Sequence, residues 1–307
     1  MLLRVVLLRV VLLRVVHLRV VLLRALLVLQ RVLRHKDFAM HINVNGHATY
    51  AYTGGKAFNP AQPTVVLIHG VLCDHSVWAL QSRYLAHHGW NVLAIDLPGH
   101  CKSAGAPPAS VQDAAAFIQA LLDAQGVQRA ALVGHSFGSL IALQTAAHLG
   151  DRISHLVMVG TAYPMKVSPA LLDASLNQPE KALHMTNVFS RATLAPPSGA
   201  GSWVFGASLA LGRRVLASNK SVNLFHTGFN ACNNYDQGLQ AIAAVTCPVL
   251  MVLGENDQMT MPKNAQSLVQ QARDTGKQLQ VVMIPNGHHQ MSESPNETLA
   301  ALKAFLV

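Results

Sequence analysis

The feature that most restricts the fold of this 307-residue chain is a series of six short apolar runs with no polar alternation. They are TVVLI (64–68), NVLAI (91–95), AALVG (130–134), HLVMVG (155–160), PVLMVL (248–253) and QVVMI (280–284). A strand with one face in water alternates apolar and polar residues. Unbroken β-branched runs of this length suit strands covered on both faces, as in a parallel sheet. Helical stretches separate them, near 76–88, 111–125, 137–149, 263–275 and 296–306. Alternation at that spacing predicts a doubly wound, mostly parallel α/β sheet. HINV and ATYAYT, joined near Asn45-Gly46, predict a hairpin ahead of it. The alternation lapses between Tyr163 and about Asp236, a span that holds Pro169, Pro179, Pro196, Pro197 and the loop-like SGAGS. The expected organisation is therefore a core of 40–164 and 236–307 with a mostly helical cap, 165–235, inserted between its halves.

Residues 1–39 stand outside this pattern. Arg4, Arg9, Arg14, Arg19 and Arg24 mark a five-residue repeat. Five steps of about 100° set successive arginines about 140° apart, so no clean apolar helical face results. A charge at every fifth position also breaks any run long enough for a membrane span or a secretory signal. A transit peptide is Ser-rich, and residues 1–36 contain no Ser or Thr. The segment is expected to be a low-complexity extension outside the fold, the folded chain opening near Met40. A targeting or membrane-associating role is the alternative.

The formal net charge of +9 invites a nucleic-acid reading, and its distribution removes it. Eight of the 23 basic residues lie within 1–36 with no acid, leaving fifteen against 14 acidic residues. A nucleic-acid surface needs a basic cluster in the folded part. The four cysteines, Cys73, Cys101, Cys232 and Cys247, show neither CxxC nor metal-ligand spacing. They are expected to be packing residues in a reduced, cytoplasmic protein without metal or cofactor.

The chemistry is carried by Gly134-His135-Ser136-Phe137-Gly138. This GxSxG follows the apolar run AALV and precedes the helical SLIALQTAAHL, which is the strand–turn–helix setting of a nucleophile elbow. A serine hydroxyl needs an adjacent base. His288 follows the last strand and a turn, QVVMIPNGHH, with His289 as its competitor. His288 is favoured because it directly follows Gly287. Asp257, in Gly254-Glu255-Asn256-Asp257 after PVLMVL, is the expected acid, and Glu255 lies nearer the strand end. The strand ending at Gly160 is followed by TAYPM, which offers no carboxylate. His69-Gly70-Val71 follows TVVLI, so the backbone N–H groups of Val71 and Phe137 are the expected oxyanion hole.

Together these residues resemble the α/β-hydrolase superfamily from about Met40 to Val307. The matching pieces are HG at 69–70, DLPGHCKS at 96–103, GHSFG at 134–138, GEND at 254–257 and GHHQMSESP at 287–295. The last piece is similar to the family's histidine motif, in which His is followed at a fixed distance by Glu and Pro, and this selects His288 over His289. Cys101 departs from the pattern, which usually carries Gly there. The resemblance implies an α/β-hydrolase fold with a cap over the pocket and esterase-like serine chemistry.

The insert supplies Met165, Met185, Phe189, Trp203, Phe205, Phe225 and Phe229, which as a set suggest an apolar acyl pocket. Its six cations (Lys166, Lys181, Arg191, Arg213, Arg214, Lys220) against two acids are expected to form a solvated face. The expected reaction is hydrolysis of a small-molecule carboxylic ester through an acyl-serine. Alternatives on the same triad are a lactonase, a carbon–carbon bond hydrolase, an aminopeptidase-like hydrolase and a cofactor-free haloperoxidase. A non-catalytic binding module is disfavoured by the intact triad, and an epoxide or haloalkane hydrolase by Ser136 in place of Asp. Oligomeric state is not legible.

Overall fold

The structure is a computed structural model that describes residues 39–192 and 200–306, with only the backbone described for 200–204. The expectation for the N-terminal repeat therefore lies outside the described residues. Eight strands form one sheet: β1 (Ala39–Val44), β2 (His47–Tyr52), β3 (Thr64–Ile68), β4 (Asn91–Ile95), β5 (Ala130–His135), β6 (Ile153–Val159), β7 (Val249–Gly254) and β8 (Leu279–Ile284). Their spatial order is β1-β2-β4-β3-β5-β6-β7-β8. β1 and β2 pair antiparallel, as do β2 and β4, and every later pair is parallel. The first hairpin turns at Asn45 (φ 52°) and Gly46 (φ 84°), the two positive φ values that a two-residue turn with matching twist requires.

The unbroken apolar runs have a direct cause in the packing. On β3, Val66 and Ile68 face one hydrophobic layer and Val65 and Leu67 the other. The first layer is closed by the Val111–Ala124, Phe137–Leu149, Gly238–Ala244 and Gln266–Asp274 helices. The second is closed by Ala79–His87 and Pro295–Leu306. β8 differs from expectation, since Val281 and Met283 are 36% and 44% exposed. It is the last strand in the sheet order, so its apolar run does not mark burial on both faces.

Between β6 and β7 the chain forms the helices Pro169–Asn177, Pro179–Phe189, Ala200–Ser218 and Leu224–Asn234. Ser168 caps the first by accepting a hydrogen bond from the Leu171 N–H, and Asn223 caps the last through Phe225 and His226. Their inner faces, with Leu171, Leu183, Leu209, Phe225 and Phe229, form a third apolar cluster that also takes in Leu72 from the core. The cations of this span are not all solvated as expected. Arg214 donates to buried Asp74 at 2.7 Å, and Arg191 is itself buried beside Glu293 at 3.6 Å. Burial alone would push the Asp74 carboxyl up; bonds from Ser76 and Arg214 outweigh it and hold the group at about 2.

Candidate active site

All the singled-out residues sit at the carboxyl ends of parallel strands, where ligands collect in open α/β sheets. Ser136 follows β5 directly and holds φ 53°, ψ −118°. Such a conformation costs a non-glycine residue about 1–3 kcal/mol. Three bonds impose it: the Ser136 N–H donates to Val159 O at 2.9 Å, and its carbonyl accepts from Ser139 N–H (2.8 Å) and Ser139 Oγ (2.6 Å). The flanking glycines are required by close approach. A Cβ on Gly134 would overlap the Gly138 carbonyl, and one on Gly138 would overlap the carbonyl of Ile68. Gly70 is tight but less so, since a Cβ there would stand 3.1 Å from Ser136 Cβ. The loop after β3 thus packs against the serine. Among the described residues, the N–H groups of Val71 and Phe137 donate to no protein acceptor.

Asp257 and His288 meet after β7 and β8. The His288 Nδ1–H donates to Asp257 Oδ2 at 2.8 Å, and Asp257 is 2% exposed. The other carboxylate oxygen, Oδ1, accepts the N–H groups of Met259 and Thr260, both at 2.8 Å. Burial would raise this acid, but His288 and Thr260 prevail and lower it to about 2. Glu255, the sequence competitor, is exposed. Among the described residues the His289 ring has no such carboxylate contact; burial, with Arg191 and the neighbouring histidines, holds it well below the usual imidazole range.

Several contacts escaped the sequence reading. Thr260 Oγ1 lies 2.7 Å from Asp257 Oδ2, 3.0 Å from His288 Nδ1 and 2.9 Å from Gly160 O, so it braces the acid–imidazole pair. The signal was a hydroxyl residue three positions after Asp257. His135 Nε2–H donates to the His288 carbonyl at 2.8 Å. Burial lowers the His135 ring to about 3, so it is neutral and its proton is fixed. The His288 N–H donates to Ser190 O at 2.7 Å. Glu293 completes the link: its carboxylate accepts from Ala192 N–H (3.1 Å), Gly287 N–H (3.3 Å) and His289 N–H (3.2 Å). The end of the Pro179–Phe189 helix and the His288 loop are therefore joined through backbone. Among the described residues none of these His288 bonds uses Nε2, and no hydrogen bond joins Ser136 Oγ to it.

Ser136 and His288 line two adjoining cavities, which share Val71, Phe229 and Met259 as well. One, of about 290 Å³, has apolar walls from Met165, Val167, Leu171, Phe189 and Met261. The other, of about 60 Å³, is bounded by Leu183, Thr186, Asn187, Ser208, Gly212 and Phe225. Of the aromatic and methionine set expected in the pocket, Met165, Phe189, Phe225 and Phe229 line it, whereas Met185 and Phe205 pack within the helical cluster. The Trp203 side chain lies outside the described residues.

Asp74, His75 and Asp96 bring ligand-type atoms within 4.8 Å of one another. Asp74 already accepts from Ser76 and Arg214, and Asp96 from His75 and the Lys102 N–H, which is a structural role. All four cysteines are unpaired, and three of them are buried. Among the described residues no helix is long and apolar enough to cross a membrane.

A family model described as the alpha/beta hydrolase family matches residues 65–302. The chain is 28% identical over 256 residues to 2-succinyl-6-hydroxy-2,4-cyclohexadiene-1-carboxylate synthase of Serratia proteamaculans, covering 80% of this chain and 94% of that protein. Among solved structures, a thermophilic esterase is 25% identical with a TM-score of 0.70, covering 87% of this chain and 96% of the esterase. A membrane phospholipase A described as a bacterial virulence factor is also 25% identical, with a TM-score of 0.68, and covers 98% of this chain and 97% of its own.

Proposed function

The chain belongs to the alpha/beta hydrolase family, and from that premise we propose that it hydrolyses carboxylic esters through an acyl-Ser136 intermediate. The observation that carries the reading is the 2.8 Å contact between His288 Nδ1 and Asp257 Oδ2, beside cavities that Ser136 shares. Asp257 fixes the Nδ1–H tautomer and leaves Nε2 as the base. In the reaction, Ser136 Oγ attacks the ester carbonyl as His288 Nε2 takes its proton. Catalytic hydrogen bonds of this kind tighten once substrate is bound. The carbonyl oxygen, now negative, meets the N–H groups of Val71 and Phe137, each such donor stabilising the transition state by about 3 kcal/mol. The amino end of the Phe137–Leu149 helix adds a favourable dipole at the same place. His288 then protonates the departing alcohol, and a water deprotonated by His288 releases the acid.

The expected substrate is a small ester with an extended apolar part, suited to the larger cavity. The helical span between β6 and β7 acts as a cap in this reading, and its Ser190 carbonyl holds the His288 backbone. A second reading, hydrolysis of membrane-lipid esters, draws on the phospholipase A match over 98% of this chain. The test is a panel of esters graded in acyl length, with Ser136→Ala as the blank. Replacing Ser136 or His288 by Ala should lower kcat by about a million-fold, the double variant being hardly worse because the groups act as a unit. Turnover that survives His288→Ala and is lost in His289→Ala would overturn the assignment of the base.

A further inference from the structure

We propose that the two cavities divide the ester between them: the 60 Å³ cavity bounded in part by Leu183 and Gly212 holds a short acyl group, and the 290 Å³ cavity holds the alcohol. The inference rests on the ester reading above and sets its substrate class, namely esters of short acids, roughly two to four carbons, with longer apolar alcohols.

The walls of the two arms differ in exposure. The larger one is lined in part by exposed residues, Lys166, Ser168, Phe189, Gln258, Met261 and Asn264, and so opens to solvent. The smaller one is lined, among the described residues, only by buried and half-buried groups. An acyl-serine mechanism uses these differently. The ester bond breaks in two steps, and between them the alcohol must leave while the acyl group stays bonded to Ser136 Oγ. Water must then reach the acyl carbonyl. An alcohol in the smaller arm, walled among the described residues by buried and half-buried groups, would meet the acyl group on its way to the exposed arm, and so would water on the way in. An alcohol in the open arm departs directly and leaves a path for water.

The size of the smaller arm follows from Leu183 packed over Gly212. Its volume admits about four water-sized groups, which fits acetyl to butyryl. At its wall the helices Pro179–Phe189 and Ala200–Ser218 meet where Leu183 fills the space above Gly212. A Cβ on Gly212 would stand 2.6 Å from Leu183 Cδ2 and 4.0 Å from Leu72 Cδ1. Leu183 therefore occupies the place a longer acyl chain would need.

Octyl acetate and ethyl octanoate test the division, because they are isomers of equal composition that place the long chain on opposite sides of the carbonyl. The expected result is a kcat/KM at least tenfold higher for octyl acetate, since single methylenes alone discriminate by about tenfold or more in such pockets. In Leu183→Ala the ratio should move at least tenfold toward ethyl octanoate. Gly212→Ala, which presses Leu183 into the arm, should move it the other way, and a thermal midpoint confirms that each variant is folded. Equal rates, or a preference for ethyl octanoate, would overturn the proposal while leaving ester hydrolysis intact and would favour the lipid reading. If neither isomer nor 4-nitrophenyl acetate is turned over, the ester reading fails and the division of the cavities fails with it.

Discussion

Thr260→Val removes one hydroxyl and leaves the side-chain shape almost unchanged. In the native protein that hydroxyl lies 2.7 Å from Asp257 Oδ2 and 2.9 Å from Gly160 O, at a residue only 4% exposed. A hydrogen bond to a charged group contributes about 1.5–3 kcal/mol, and losing it here leaves a buried carboxylate oxygen with His288 as its remaining partner. A loss near 2 kcal/mol in a chain of this size corresponds to a thermal midpoint lower by about 4–8 °C. Activity should fall through kcat, by roughly tenfold, with KM little changed, because the residue positions the acid–imidazole pair and lies behind the reacting atoms. The assays are thermal unfolding followed by circular dichroism and steady-state hydrolysis of 4-nitrophenyl acetate. A midpoint within a degree of the native value, together with kcat within twofold, would refute the reasoning that Thr260 braces Asp257.

Acid should destabilise the fold through Asp74 and Asp257, both held at about 2. A depressed carboxyl stabilises the native state above the unfolded-chain value near 3.9 and loses that contribution as pH falls toward 2, about 2 kcal/mol for each group. Asp74→Asn should flatten the fall of the midpoint between pH 5 and about 2.5, and an unchanged slope would count against the Arg214–Asp74 bond. Glu293→Gln should lower the midpoint by a few degrees and reduce kcat more than it raises KM, since the carboxylate joins Ala192, Gly287 and His289 through their N–H groups. A shift confined to KM would instead place Glu293 at the substrate. Cys101 stands at φ 44°, in the left-handed region. In Cys101→Gly, relief of about 1 kcal/mol of backbone strain offsets the lost packing and the added freedom of the unfolded chain, so kcat/KM should stay within about twofold.

The sheet was legible because burial on both faces leaves its mark on every buried strand. TVVLI and NVLAI mark β3 and β4 residue for residue. QVVMI located β8 yet misreported its surroundings, since an apolar run does not distinguish a central strand from an edge that leaves Val281 and Met283 exposed. The meeting of Asp257 with His288 was readable as well, because each follows a strand at the same edge of the sheet. Other features depend on distant contacts that carry no local pattern. Thr260 looks like any loop threonine until the Gly160 carbonyl and the His288 ring stand beside it. Arg191 and Arg214 looked like surface cations because their partners, Glu293 and Asp74, lie 102 and 140 positions away. For the same reason the span 165–235 read only as an inserted cap, with no sign of its contact with the His288 loop. The Ser190 carbonyl accepts the His288 N–H, so removing the Pro179–Phe189 helix with Ser190 should cost catalysis as well as selectivity.

The most direct test of the central claim, that Ser136 is a nucleophile activated by His288, is covalent labelling with a fluorophosphonate followed by peptide mass spectrometry. The protein should take up one equivalent, on the peptide that carries Gly134-His135-Ser136-Phe137-Gly138, with labelling abolished in Ser136→Ala and slowed by several orders of magnitude in His288→Ala. An adduct on another residue, or none on protein that still hydrolyses esters, would contradict it.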